Sequence, residues 1–111
     1  MVKLRQCVTG RLRDAYPVNA HDVEVRVTEE LPPDRLAEIL ARTAHEVLGN
    51  DPRCRRVVFA APVDDLTSIA AAHAAGFRYV VDVDIPGEEL SLLVAEPHWV
   101  TAMDSDRVPG T

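Results

Sequence analysis

Hydrophobic and polar residues alternate in the stretch "VEVRV", which is the period of a β-strand with one buried face. Val23, Val25 and Val27 are separated by Glu24 and Arg26. The next residues, "EELPPD", break the pattern with acidic side chains and two prolines. The pattern therefore predicts a short strand that ends before this segment.

The period becomes helical in "PDRLAEILARTAHEVLGN". Pro33 suits the first position of a helix, and Asp34 suits the positive end of the helix dipole. Gly49 and Asn50, followed by Pro52, predict where the helix ends. The apolar side chains fall on one helical face, which predicts packing against a sheet: Leu36, Ile39, Leu40, Thr43, Ala44, Val47 and Leu48.

Three further strands and a second helix are predicted downstream. The apolar run "RRVVFAAPV" is typical of a strand covered on both faces, as in a parallel pairing after a helical crossover. A second helix begins at Asp64 or Asp65, both good N-caps, and ends at Gly76. "FRYVVDVDI" and "LSLLVA" predict a hairpin around "PGEE". The first strand of that hairpin alternates its apolar residues on one face: Phe77, Tyr79, Val81, Val83 and Ile85.

A further strand is predicted over residues 2–8, which makes the order of elements β-β-α-β-α-β-β. The central β-α-β-α-β implies a mixed β-sheet with two main helices packed on it. We therefore assign the chain to the α/β (α+β) class. Its 111 residues suit one domain, with residues 97–111 as a tail.

Net charge and the two cysteines limit the kinds of partner and the compartment that we expect for this protein. The net charge of −6 argues against nucleic acid or an anionic membrane as the main partner, because both need a basic surface. No stretch approaches the roughly 20 apolar residues of a membrane span, and the first residues, "MVKLRQCVTGRL", lack the long apolar run that a signal peptide would show. Cys7 and Cys54 form neither a CxxC pair nor a disulfide framework. We interpret them as reduced thiols and expect a cytoplasmic protein.

The stretch "DLTSIAAAHAAGF" resembles a motif of the GNAT superfamily, the acyl-CoA-dependent N-acyltransferases. That family often has Asn-x-x-Ala-Ile-x-x-Tyr-x-x-x-Gly-Phe before a strand. Here Asp65 stands at the Asn position, Ala72 at the Tyr position, and Gly76 and Phe77 at Gly-Phe. The hairpin that follows looks like the closing hairpin of the family, and the resemblance covers residues 22–96.

The resemblance implies an acyl-CoA site between the strand "VEVRV" and the long helix after it. In active members a Gln/Arg-x-x-Gly-x-Gly/Ala pattern lets backbone N–H groups at the helix N-terminus face the CoA pyrophosphate. Acetyl-CoA or another acyl-CoA is the implied cofactor, with no metal. Strands that separate after Val27 would hold the pantetheine arm. Five positions are the implied contacts: Val27, Thr28, Asp34, Arg35 and Asp65.

The chain departs from the family pattern at the first turn of this helix. Pro32 and Pro33 have no N–H to donate, and Arg35 replaces a glycine that gives the phosphates clearance. Glu29, Glu30 and Asp34 place negative charge where the anion would lie. Alanine also replaces the tyrosine that in many members protonates the leaving thiolate. The N-terminal half of the domain in full family members, which shapes the acceptor site, has mostly no counterpart in this sequence.

One histidine is a candidate for catalysis. We place His73 on the inner face of the second helix, with Leu66, Ile69, Ala70 and Phe77. A histidine there either accepts a proton from an acceptor amine or is a hydrogen-bonded residue between helix and sheet.

Acidic and aromatic residues supply the other candidates. Asp65 is either a ligand contact or simply a helix N-cap. Asp82 and Asp84 point the same way on one strand, where they either bind an amine or a metal or face solvent. His98 and Trp99, in the tail, either cover a pocket, pack on a partner chain or cap the edge of the core.

Two functions remain open from the sequence. The first is a GNAT-like N-acetyltransferase that passes the acyl group of acyl-CoA to an amine of a small molecule or protein. The second is a non-catalytic GNAT-derived module that acts in dimerisation, in regulation or as the partner of another chain. Because a half-domain leaves sheet edges and an apolar face uncovered, we expect a homodimer or a partner chain in place of the missing half.

Overall fold

The computed structural model describes residues 2–7, 10–14 and 21–97. Within them, strands and helices follow the predicted order β-β-α-β-α-β-β, so the α/β (α+β) class is confirmed. The elements are β1 (Val2–Gln6), β2 (Val23–Val27), α1 (Pro33–Asn50), β3 (Val57–Pro62), α2 (Leu66–Ala74), β4 (Arg78–Ile85) and β5 (Glu88–Ala95).

The strands form one mixed sheet in the order β1-β2-β3-β5-β4. β2 and β3 are parallel, as predicted from the long helix that connects them. The other neighbouring strands are antiparallel. Because β5 inserts between β3 and β4, β3 is central and is buried from both sides, as its continuous apolar sequence indicated.

Helix α1 presents its apolar stripe to the sheet through Leu36, Leu40 and Ala44, which are buried. The helix runs through Gly49 and Asn50 and ends immediately after them. Proline shortly after a helix prevents its continuation, and Pro52 follows here. The predicted bounds of this helix are therefore confirmed.

Helix α2 ends in a Schellman motif that explains the Ala-Gly-Phe sequence. The N–H of Gly76, which has φ 97°, donates to the carbonyl of His73 at 3.1 Å. The N–H of Phe77 donates to the carbonyl of Ala72 at 3.0 Å. This turn carries Phe77 into the core, where its ring meets Phe59 edge to face at 6.5 Å. The Ala-Gly-Phe sequence therefore has a structural role, since it ends the helix and places Phe77 in the core.

A hydrophobic cluster lies on each face of the sheet. The helix side is built around Leu40, Val57, Phe59 and Phe77. The opposite side is buried within the chain itself, so the expectation of an uncovered apolar face is wrong. Residues on the segment after β1 lie over part of this face and belong to its cluster. Its buried members are Cys7, Leu12, Val58, Val83, Leu90, Leu92 and Val94.

Strand β4 does not keep one apolar face, contrary to the prediction. Its register against β5 shifts between Tyr79 and Val81, and an extra residue turns the following side chains to the other face. Phe77, before the shift, packs on the helix side, whereas Val83 packs on the opposite side. Tyr79 and Val81 remain 49% and 36% exposed.

Both cysteines are buried free thiols. Burial raises the pKa of Cys7 from 9.0 to about 12, and the nearby carboxylates of Asp22 and Glu24 add to the shift. Burial also raises the pKa of Cys54. Both residues are therefore protonated near neutral pH, unlike a reactive thiolate. Among the described residues, no helix is long and apolar enough to cross a bilayer.

Candidate functional site

The two parallel strands separate near the middle of the sheet. Their register ends at the pair Val25 and Phe59. After this pair, Val27 still pairs with β1 and Ala61 still pairs with β5. Among the described residues, β2 and β3 form no further pair with each other past Val25 and Phe59. The backbone edges that face each other across this gap are therefore available to a ligand. The separation predicted at Val27 is confirmed.

A cleft of about 570 Å³ opens on the helix side of the gap. We call it the helix-side cleft. Its lining combines apolar side chains with three carboxylates, those of Glu29, Glu30 and Asp65. Its described lining residues are Val27, Glu29, Glu30, Leu31, Pro32, Leu36, Phe59, Asp65, Thr67 and Ser68.

A smaller cleft of about 210 Å³ lies across the gap and extends to the opposite face of the sheet. We call it the opposite-side cleft. Four residues belong to both clefts, so the two meet where the strands separate: Val27, Phe59, Asp65 and Ser68. The remaining lining residues are Arg11, Arg26, Ala60, Ala61, Pro62, Glu88 and Leu90.

An ion pair borders the opposite-side cleft. The Nη2 and Nε of Arg11 donate to Oε2 of Glu24 at 2.8 and 3.2 Å, and its Nη1 donates to Oε2 of Glu88 at 3.3 Å. Glu24 is only 1% exposed. Sequence reasoning missed this cluster, because an alternating strand places Glu24 on the polar face. No local pattern marks Arg11, 13 residues away, as its partner.

Comparisons with known proteins identify the fold. Neither a family model nor a curated protein sequence matches the chain significantly. Aminoglycoside acetyltransferase AAC(6')-Ib with coenzyme A matches with a TM-score of 0.72 and 14% identity, over 93% of this chain and 62% of that one. The fold is that of the GNAT acyltransferases. The resemblance stated from the sequence is thus confirmed at the level of the fold.

Other structures of the same enzyme agree. The complex with coenzyme A and kanamycin gives a TM-score of 0.71 at 14% identity, over 93% of this chain and 62% of that chain. The complex with ribostamycin and coenzyme A gives 0.71 at 15% identity, over 98% of this chain and again 62% of the other. The chain therefore spans 62% of the length of these enzymes. At such identity the likeness establishes the GNAT fold and leaves the reaction to be argued from the residues.

At the GNAT asparagine position, Asp65 caps α2. Its Oδ1 accepts from the N–H of Ser68 at 3.1 Å, and its Oδ2 accepts from the hydroxyl of Ser68 at 2.7 Å. The N-cap prediction is confirmed, and the same residue lies at the junction of the two clefts. Its contact with a ligand stays a prediction.

The first turn of α1, where the resemblance predicts the CoA pyrophosphate, has few backbone donors. Pro32 is the N-cap residue and its carbonyl accepts from the N–H of Leu36 at 2.9 Å. Because Pro33 has no N–H, only the amides of Asp34 and Arg35 remain in this turn. The side chains of both are exposed and lie outside the lining of the two clefts, and the same is true of Thr28.

The placement of His73 on the inner face of α2 is wrong. His73 is exposed, as is Leu66, whereas Ala71 and Ala72 are the buried residues of the helix. Phe77 reaches the core through the turn after the helix, so it does not indicate which helical face is buried. His73 also lies outside the lining of both clefts.

The remaining candidates are not assembled into a site. Asp82 and Asp84 are exposed, and Oδ1 of Asp82 accepts from the hydroxyl of Ser91 at 2.6 Å. Across residues 2–7, 10–14 and 21–97, no group of three or more side chains is arranged to hold a metal ion. His98 and Trp99 lie outside the described residues.

Proposed function

We propose that this chain is a GNAT-like N-acyltransferase domain that passes the acyl group of acetyl-CoA, or of another acyl-CoA, to an amine acceptor. The observation that carries the proposal is the separation of β2 and β3, at which the two clefts meet. The acyl donor would lie in the helix-side cleft and the acceptor in the opposite-side cleft. Enzymes of the same fold hold coenzyme A in their solved structures.

The residues around the gap fit the thin arm of an acyl-CoA. Val27 and Phe59 supply apolar walls, and the facing backbone edges of β2 and β3 offer N–H and C=O groups for amides of the arm. When bound, acyl-CoA supplies a thioester carbonyl as the electrophile. The chain would position an amine beside that carbonyl, and this positioning is the main source of rate enhancement.

The end of the site that would meet the phosphates fits less well. Two backbone amides, those of Asp34 and Arg35, face an anion there in place of a longer glycine-rich cradle. The carboxylates of Glu29 and Glu30 line the same cleft and repel negative charge. We therefore expect acyl-CoA to bind through its arm, with lower affinity than a complete cradle provides.

The transfer balances without a redox partner. A C–N bond forms from the acceptor amine as the C–S bond breaks, one proton leaves the nitrogen, and one reaches the sulfur. Water in the cleft or His73 would accept the proton from the amine. The exposure of His73, away from both clefts, favours water. His73→Ala tests this choice, since an unchanged pH–rate profile would remove His73 from the reaction.

Calorimetric titration with acetyl-CoA tests the proposal. Val27→Phe fills the gap, and we expect it to lower the affinity at least about tenfold. Val23→Phe is the matched control, because Val23 lies on the same face of β2 at its paired end, with similar burial. No heat at millimolar acetyl-CoA, or equal losses in the two variants, would contradict the proposal.

The first turn of α1 favours a second candidate, a non-catalytic GNAT-derived module. In this case the chain would not bind acyl-CoA and would associate through an open sheet edge, as a homodimer or with a partner chain. β1 is such an edge, and Leu4 on it is 53% exposed. Light scattering would then give a dimer that Leu4→Lys converts to a monomer. A monomer that binds acetyl-CoA would exclude this candidate.

A further inference from the structure

Two cations face each other beside the opposite-side cleft. Arg26 lines that cleft, and Lys3 is its direct partner across the β1–β2 register. Like charges directly opposite one another destabilise a sheet. Within residues 2–7, 10–14 and 21–97, neither side chain makes an ion pair or hydrogen bond that would offset the repulsion. An anion between them would do so.

The other charged groups of the cleft are already engaged. Arg11 donates to Glu24 and Glu88, and both carboxylate oxygens of Asp65 accept hydrogen bonds at the start of α2. Arg26 is therefore the cation of the cleft lining whose side chain makes no ion pair or hydrogen bond within the described part of the chain. Its guanidinium offers paired donors that match a carboxylate, and the Lys3 ammonium adds a second charge.

We propose that the acceptor is a small amine that carries a carboxylate, bound by Arg26 with Lys3 beside it. The amine end then points to the gap at Val27 and Phe59, where the acyl group would be presented. This assignment rests on the proposed acyl transfer. The cleft volume of about 210 Å³ lies below the roughly 300–1,000 Å³ typical of sites for drug-sized ligands, so a compact acceptor fits best.

Matched amines test the assignment. Thiol release from acetyl-CoA is measured with glycine, β-alanine, 4-aminobutanoate and 6-aminohexanoate, and with the carboxamide of each. The compounds differ in the number of carbons between amine and carboxylate, so the series finds the length that spans from Arg26 to the gap. For the best length we expect kcat/KM at least about tenfold higher for the carboxylate than for its carboxamide, the effect of one charged hydrogen-bonded contact.

Three variants locate the contact. Arg26→Gln is expected to bring the carboxylate-to-carboxamide ratio close to one, and Lys3→Gln to lower it about threefold. Arg42→Gln removes the same charge from the exposed side of α1, where Arg42 pairs with Glu38, and leaves the ratio unchanged. Arg26→Gln should also leave the melting temperature equal or higher, because it relieves the repulsion from Lys3. A ratio of one in the unaltered protein, or a ratio that survives Arg26→Gln, overturns the assignment while acyl transfer stands.

Direct binding separates this assignment from the proposed function. The unaltered protein and Arg26→Gln are titrated with the same pairs by NMR, without acetyl-CoA. If the carboxylate binds to the unaltered protein and this binding is lost in Arg26→Gln, the anion site is supported. The site is supported even if no amine is acetylated, and that absence of acetylation would contradict only the proposed acyl transfer. Equal binding of carboxylate and carboxamide overturns the site whether or not acetylation occurs.

Discussion

The two clefts that meet at the gap between β2 and β3 differ in charge. The described lining of the helix-side cleft has three acidic residues and no basic one, although an acyl-CoA would bring its phosphates to that side. The described lining of the opposite-side cleft is mixed, with two arginines and the carboxylates of Asp65 and Glu88. The two clefts therefore share the gap between the strands and differ in the charges around it, and under the proposed function those charges would set which ligands each cleft accepts.

The largest expected effect comes from breaking the ion pair of the opposite side. Arg11→Ala leaves the carboxylate of Glu24 buried without its partner, so the free energy of unfolding should fall by about 2–4 kcal/mol. We take the lower part of the usual range because the Arg11 side chain is 23% exposed. Urea unfolding measures the change. Arg42→Ala, which breaks an exposed pair with Glu38, should cost at most about 0.5 kcal/mol. Equal losses would show that Glu24 is not buried as described.

Restoring a donor on the helix side should have a smaller effect. Pro33→Ala adds an N–H at the first turn of α1, and we expect the affinity for acetyl-CoA to rise by about three- to tenfold, the effect of one added hydrogen bond of ordinary strength at an exposed position. Calorimetry measures it. Pro52→Ala, at the other end of the same helix, should leave the affinity unchanged. An unchanged affinity in Pro33→Ala would mean that phosphates do not meet this helix.

Ionic strength should change the ligand affinities of the two clefts in opposite directions or by different amounts. Raising ionic strength from about 0.05 to 0.5 M shortens the screening length, which weakens repulsion and attraction alike. Binding of acetyl-CoA, repelled by Glu29 and Glu30, should stay constant or strengthen by about twofold. Binding of a carboxylated amine at Arg26 should weaken by about twofold. If salt changed both affinities in the same direction and by the same factor, the predicted difference in charge between the clefts would be contradicted.

The smallest effect concerns Cys7, in the hydrophobic cluster of the opposite side. Because its pKa is raised to about 12 in the folded protein, the unfolded chain loses this proton first, near pH 9. Its contribution to stability is therefore complete below about pH 9 and is lost as pH rises toward 12. Urea unfolding between pH 8 and 10.5 should show a shallower decline in Cys7→Ala than in the unaltered protein. Identical slopes would refute the raised pKa.

Much of the helix-side architecture was predictable from short segments. The bounds of α1, the cap at Asp65 and the stop at Gly76 depend on groups within five residues of each other, so local sequence carries the signal. The parallel pairing of β2 and β3, and their separation after Val27, followed from the crossover and the family resemblance. The contacts inferred for Thr28, Asp34 and Arg35 remain predictions, and these residues lie outside the lining of both clefts.

The sequence by itself determined which segments become helix or strand, because periodicity and capping act between near neighbours. Only the tertiary structure decided the surroundings of the site. It buried Glu24 under Arg11 and joined Arg11 to Glu88, which is 77 positions away in the chain. It also turned His73 to solvent. Such contacts form when distant segments pack together, and no local pattern of residues specifies which of them will meet.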